Sequence, residues 1–221
     1  MRFIIHELPY ERPVAAGKLR YERHGVPTGA VESWRLTDAV DGYRFLRVDL
    51  DAREAASGRS TLFHLTLNPG GAPEQLKVRA WGRPGDAVVT AALLWESAGL
   101  LMTRTVDGVD FEETAVGDLF WFPATMGLSL LRAAPRGDGL RGLTLDANLS
   151  DPAAAFALRE VAVSLQDGED STIARRRVTL AWPGGERRVW FDADGWPVRM
   201  EREEGLAAEA EQFIHYGAYR C

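Results

Sequence analysis

The sequence predicts a mainly β protein: one curved antiparallel sheet, a half-barrel or barrel, with one or two short helices. Three observations predict it. Turn-forming clusters recur roughly every 8–12 residues, the spacing of all-β sandwiches and barrels. They are "HGVPTG" at 24–29, "DAVDG" at 38–42, "NPGGAP" at 68–73, "GRPGD" at 82–86, "DG" at 107–108, "PGGE" at 183–186 and "DADGWP" at 192–197. The runs between them are rich in Val, Leu, Thr, Phe, Tyr and Trp, residues suited to a pleated, half-buried surface. Within those runs apolar and other residues alternate, so each strand offers one face to a core.

Roughly a dozen strands follow from this spacing. The first eight fall near 17–24, 29–37, 43–51, 60–67, 73–81, 86–96, 100–106 and 109–115. Asp-Gly and Gly-Gly pairs supply the positive φ angles that tight hairpins need. The stretch "GDLFWFPATMGLSLLRAA" (117–134) then breaks the pattern, and Pro123 is placed to open a helix reaching Arg132. "RGDGLRG" (136–142) reads as a flexible loop, and a strand follows at 140–148. Asp151 as N-cap and Pro152 at the first helical position predict a short helix over 152–159. Strands resume at 159–166, 173–182, 186–192 and 197–203. The last stretch, "LAAEAEQFIHYGAY" (206–219), favours helix by propensity. Its alternation suits an edge strand, and we read it as a strand that completes the meander. No linker-like tract and no repeat divides the chain, so one domain spans 1–221.

A chain of 221 residues can bury a sizeable core. Its net charge of −6 argues against nonspecific attraction to nucleic acid or anionic membrane. Basic runs at Arg175–Arg177 and Arg187–Arg188 lie in strand-like segments and read as solvated or cross-strand ion-paired faces. The single cysteine, Cys221, permits no intramolecular disulfide, which fits a reducing compartment. Only Phe3 to Ile5 are consecutively apolar near the N-terminus, too short a run for a signal peptide. No window approaches a membrane span. A cytoplasmic location without integral membrane association is expected.

The strand faces carry the most information. In "YRFLRVDL" one face holds Leu46, Val48 and Leu50; the other holds Tyr43, Phe45, Arg47 and Asp49. "QLKVRAW" separates Leu76, Val78 and Ala80 from Lys77, Arg79 and Trp81. "STLFHLTL" sets Phe63, Leu65 and Leu67 against Leu62, His64 and Thr66, and "RRVWFD" sets Val189 and Phe191 against Arg188, Trp190 and Asp192. The first set in each case is core. The second mixes rings with charges, and two readings fit it. Aromatic–arginine pairs stabilise solvated faces; alternatively, the mixture lines a concavity that holds an amphiphile. On the second reading the ligand-binding residues are Trp34, Tyr43, Arg47, Arg79, Trp81, Trp95, Met102, Arg104 and Trp190. Arg47, Arg79 and Arg104 would meet an anionic head group. "VVTAALLW" (88–95) is apolar on both faces, so both must be covered. The apolar 119–131 segment could cover one. A lipid-like molecule could cover the other; a fully internal strand explains the pattern equally well.

Motifs for known chemistry are absent. "GLSLL" around Ser129 lacks the second glycine of a nucleophile elbow, and no phosphate loop or dinucleotide fingerprint follows a strand. His6, His24, His64 and His215 stand too far apart for a zinc site of spaced ligands, so no metal and no cofactor is expected. "DGED" (167–170) clusters acids in an expected turn and matches a calcium loop only loosely. The acid/base candidates are Glu32, Asp49 and His64, with Glu32 a general base if burial raises its pKa.

Two hairpins, "GKLRYERHGVPTGAVESWRL" and "VWFDADGWPVRMERE", resemble those of the lipoprotein-carrier half-barrels, the LolA/LppX-like superfamily. The resemblance covers the order of strands over most of the chain and implies a curved sheet holding acyl chains in its concavity. It transfers no binding residue, because the superfamily has no residue motif to match here. One relative uses the same shape as a cofactor-free enzyme. The sequence therefore points to binding of a hydrophobic or amphiphilic, lipid-like small molecule on the concave face. A cofactor-free acid/base enzyme and a protein-interaction scaffold remain as alternatives, and the sequence leaves the oligomeric state open.

Overall fold

The computed structural model describes residues 7–56, 58–146, 151, 153–170 and 175–216. Eight strands come first: β1 (Arg12–Arg23), β2 (Val26–Asp38), β3 (Arg44–Asp51), β4 (Ser60–Leu67), β5 (Pro73–Trp81), β6 (Val89–Glu96), β7 (Gly99–Val106) and β8 (Val109–Ala115). A short β9 (Leu119–Trp121) and a 3-10 helix (Met126–Arg132) precede β10 (Gly137–Leu145). The rest are β11 (Leu158–Asp170), β12 (Arg175–Trp182), β13 (Gly185–Phe191), β14 (Pro197–Arg202) and β15 (Leu206–His215). All fifteen form one sheet, in the order β8-β7-β6-β5-β4-β3-β2-β1-β15-β14-β13-β12-β11-β10-β9. Every pairing is antiparallel except the parallel contact of β9 with β10.

Connectivity forces this sheet to curl. β8 lies at one edge and β9 at the other, yet only residues 116–118 join them. Four Cα steps of 3.8 Å reach at most about 15 Å. Fourteen strand spacings of about 4.8 Å would make a flat sheet about 67 Å wide. The edges must therefore approach one another, and side chains bridge the seam. Arg104 on β7 donates to Glu113 on β8 (2.6 Å) and to the carbonyls of Ala155 (3.2 Å) and Ala153 (2.9 Å). Glu113 in turn accepts from the Leu158 amide at 2.8 Å. Hydrogen bonding does not close the sheet: its order begins at β8 and ends at β9.

The inner face is laid down in belts. Leu36, Leu46, Leu65, Leu76, Leu93 and Met102 are successive cross-strand partners from β2 to β7. Each is at most 1% exposed. Trp34, Val48, Phe63, Val78, Ala91 and Arg104 form the next belt. Each large apolar side chain buried this way contributes about 1.5–3 kcal/mol.

The chain fills its own hollow. All three β9 residues are buried, and alternation sends them in two directions. Phe120 and Phe122 join the cluster built on β1–β8, whereas Leu119 and Trp121 join the one built on β10–β15. Phe122 lies 4.2 Å from Phe63 between ring centroids, and Phe120 meets Trp95 edge-on at 5.3 Å. The 3-10 helix continues this plug: Met126 packs into the first cluster, Leu128 and Leu131 into the second.

Five sequence expectations are corrected. The helix expected from Pro123 to Arg132 is a 3-10 helix that starts later, at Met126, and ends at Arg132. Its bonds are one residue tighter than α-helical, as in Leu128 N–H to Thr125 O. A Cβ at Gly127 would lie 2.4 Å from the Phe122 carbonyl, so the crowding here admits only glycine. The helix expected over 152–159 is one turn on the Asp151 carbonyl, ended by Phe156 at φ +53°, with β11 running from Leu158; Pro152 lies outside the described residues. The "RGDGLRG" loop is the start of β10, and the "DGED" turn belongs to β11, where Asp167 pairs with Arg136 and Arg176. The final segment is no edge: β15 sits between β1 and β14 and joins the two halves of the sheet. Residues 147–148, 173–174 and 217–219 of the expected strands lie outside the described residues, as do His6 and Cys221. No described helix is long and apolar enough to cross a membrane.

Arg104→Met is expected to lower unfolding free energy by about 3–5 kcal/mol, because Glu113 is left without its buried partner. Urea denaturation checks this, and a loss below about 1 kcal/mol would contradict the role of the seam.

Candidate functional site

The plug stops short of one end of the curl and leaves a cavity of about 300 Å³. Its floor is a row across four neighbouring strands. Arg23 on β1 pairs in register with Leu206 on β15, and Arg202 on β14 pairs with Arg187 on β13. One row further in, Tyr21 pairs with Ala208, and Ala208 with Met200. Ala30, Leu50 and Thr61 enter from β2, β3 and β4, while Ala52, Ala55 and Arg59 come from the β3–β4 connection. Pro123, Ala124 and Phe156 form the roof. Alternation explains the floor: Arg187 shares parity with Val189 and Phe191, so the strand that buries those two must also turn Arg187 inward.

Arg187 is the unusual member. Its residue is only 9% exposed, and its Nε has no hydrogen-bond acceptor. The guanidinium stands 5.6 Å from the Trp182 ring centroid. Burial, with Arg202 alongside, lowers its pKa to about 10. Arg202 is paired with Glu204, and Arg23 donates to the Glu204 carbonyl at 3.2 Å.

Behind the wall lies the second unusual group. Glu32 on β2 is 0% exposed and faces the start of the 3-10 helix. Its Oε2 accepts from the Tyr21 hydroxyl and from Thr125 N–H (2.8 Å); its Oε1 accepts from Met126 N–H (2.7 Å). Burial raises its pKa, and those donors offset part of the rise. Tyr21 also contacts Thr125 Oγ1 at 2.9 Å, and burial together with the Glu32 charge pushes its own pKa up. Chemically this is a latch. One strand carboxylate accepts from two buried backbone donors, which are costly to leave without acceptors.

None of the nine binding residues read from the sequence borders this cavity. Trp34, Trp95, Met102 and Arg104 lie on the inner face. Trp34 stacks on Trp196 at 5.7 Å, Met102 is fully buried, and Arg104 serves the seam. Arg47, Arg79, Trp81 and Trp190 lie on the outer face, and Tyr43 precedes β3. The turn at residues 8–11 folds over Arg47, and Glu11 meets it bidentately at 2.5 and 2.6 Å with Thr37 alongside. Burial raises the Glu11 carboxyl, but hydrogen bonds from Arg47 and Thr37 outweigh it and hold it low. Trp190 lies under Arg199, its cross-strand partner, at 5.5 Å. Arg47 and Arg104 therefore occupy opposite faces, each with its own carboxylate, and do not converge on one head group.

Of the acid/base candidates, Glu32 is the buried latch. Asp49 is half-buried on the outer face of β3, and His64 is half-buried beside it on β4, edge-on to Phe45 at 5.4 Å. The three do not share a site. Residues that the reading from sequence missed are Tyr21, Arg23, Arg59, Arg187 and Arg202. For Arg187 the signal was present: it alternates with Val189 and Phe191. Elsewhere, Asp192, Asp194 and His215 each bring one ligand atom within 4.8 Å of the others, a clustering invisible in the spacing of histidines. His215 there is 3.3 Å from Asp194, and both are exposed.

No protein-family model matches the chain, and no curated protein matches it. Among solved structures it is similar to PNGF-II in two crystal forms, at 9% identity and TM-scores of 0.30 and 0.29. The alignments cover 94% of this chain but 29% and 28% of those chains, so it spans under a third of their length. A likeness at this level carries no argument about function.

His64 provides a pH test of the outer face. Burial, then Arg47 and Lys77, lowers its pKa from 6.5 to about 4. Between those values the unfolded chain binds the proton and the folded chain does not, so stability falls as pH drops from 6.5 towards 4. His64→Leu should lose less stability than wild type between pH 7 and pH 5 in urea titrations. Equal losses would contradict the burial.

Proposed function

We propose that the protein binds a small amphiphilic molecule in the cavity at the end of the curl. The observation that carries this reading is the composition of its wall: Ala30, Leu50, Ala52, Ala55, Met200 and Leu206 surround a space bordered by arginines. Its volume of about 300 Å³ is at the small end of ligand sites. β9 and the 3-10 helix occupy the rest of the hollow, so the ligand is a short one. The resemblance of two hairpins to lipoprotein-carrier half-barrels supports the same reading. So does the outer-face packing of the mixed aromatic–arginine residues, which leaves the end cavity as the better place for a guest. A role for Glu32 as general base has less support, because its two oxygens already serve three donors.

Nile red, a neutral apolar dye, is expected to bind saturably at one site with a rise in fluorescence. Ala55→Trp, which fills the cavity, should weaken that binding by about tenfold or more. Val109→Trp, on an exposed edge-strand position, should not. Saturable binding that Ala55→Trp leaves unchanged would overturn the proposal.

A further inference from the structure

We infer that the cavity selects an anion: its ligand carries a carboxylate or phosphate monoester that Arg187 and Arg202 grip. This rests on the amphiphile reading above and names the ligand's chemistry. Among the described residues, four arginines, Arg23, Arg59, Arg187 and Arg202, border the cavity, and no carboxylate does. The β13–β14 register sets Arg187 directly opposite Arg202. Like charges placed so oppose each other, and a folded sheet tolerates them only at a cost.

Comparison within the molecule sharpens the point. Two other arginines are equally buried, Arg47 and Arg104, and each meets a carboxylate at 2.5–2.6 Å. Burying a guanidinium is costly unless a partner compensates it. Among the described residues no carboxylate pairs with Arg187, and its Nε is left without an acceptor. The Trp182 ring softens that cost but does not neutralise the charge. Glu204 is drawn to Arg202, is half-buried and does not line the cavity. A planar guanidinium is suited to bidentate contact with carboxylate or phosphate oxygens. Tyr21 cannot donate inward while its hydroxyl serves Glu32, so the polar end of the ligand faces arginines.

The test is calorimetric titration of the full-length protein with decanoate, decyl phosphate, decanol and inorganic phosphate. Decanoate and decyl phosphate are expected to bind at least about tenfold tighter than decanol. Arg187→Met should bring that ratio below about twofold. Arg188→Met, the outward-facing neighbour, should leave the ratio intact. Arg202→Met provides the same test should Arg187→Met fail to fold. Equal binding of decanol and decanoate would overturn the anion inference and leave the amphiphile reading standing. Binding of inorganic phosphate alone, lost in Arg187→Met, would keep the anion site and sink the amphiphile reading. No binding by any of the four compounds would overturn both.

Discussion

Three residues, 116–118, tie one edge of a fifteen-stranded sheet to the other. Everything else follows from that tether. A short link cannot span a flat sheet, so the sheet curls until its edges nearly meet. A curled sheet with apolar belts on its inner face encloses a hollow that must be filled. The strand after the tether fills it, and its two faces serve two clusters because a strand alternates. A plug of this kind brings backbone donors into an apolar interior, where they need acceptors. Glu32 supplies two of them to Thr125 and Met126. The cavity lies where the plug, having turned at Pro123, no longer reaches the sheet.

Among the described residues, three buried arginines show how one side chain takes different roles by its neighbours. Arg47 holds an N-terminal turn against the outer face through Glu11. Arg104 ties the seam through Glu113 and two carbonyls. Both are structural, and in both the charge is matched. Arg187 has the same burial but a second arginine across the strand in place of a carboxylate. A protein that matches two buried cations and leaves the third unmatched beside a void has spent stability at that place. Such unspent polar capacity is common where a ligand completes the arrangement.

The fold was largely legible because period-two alternation and turn chemistry are local. Hairpins such as β4–β5 and β12–β13 join neighbouring segments, and Asn68, Gly71 and Gly184 fix their turns without help from elsewhere. The plug was not legible. "LFWF" is apolar on both faces, and "PATMGLSLLR" has helical composition, but its 3-10 winding depends on the Phe122 carbonyl crowding Gly127 and on Glu32, a distant residue. Phe156 defeated the second helix in a similar way, since tertiary packing of its ring favours a positive φ that propensity disfavours. The site was the least legible part. Its residues come from seven strands and three connections, and which charged residues face inward depends on the register of β13 with β14. Arg187 differed from Arg188 only in parity with Val189 and Phe191, and a run of two arginines hides that difference.

The account's central claim is that the chain plugs its own curl and that Glu32 holds the plug. Amide hydrogen exchange of Thr125 and Met126 tests it most directly. The account predicts protection matching that of belt residues such as Leu65, so that these amides exchange only through global unfolding. Exchange several orders of magnitude faster than Leu65, as in an exposed connection, would contradict it.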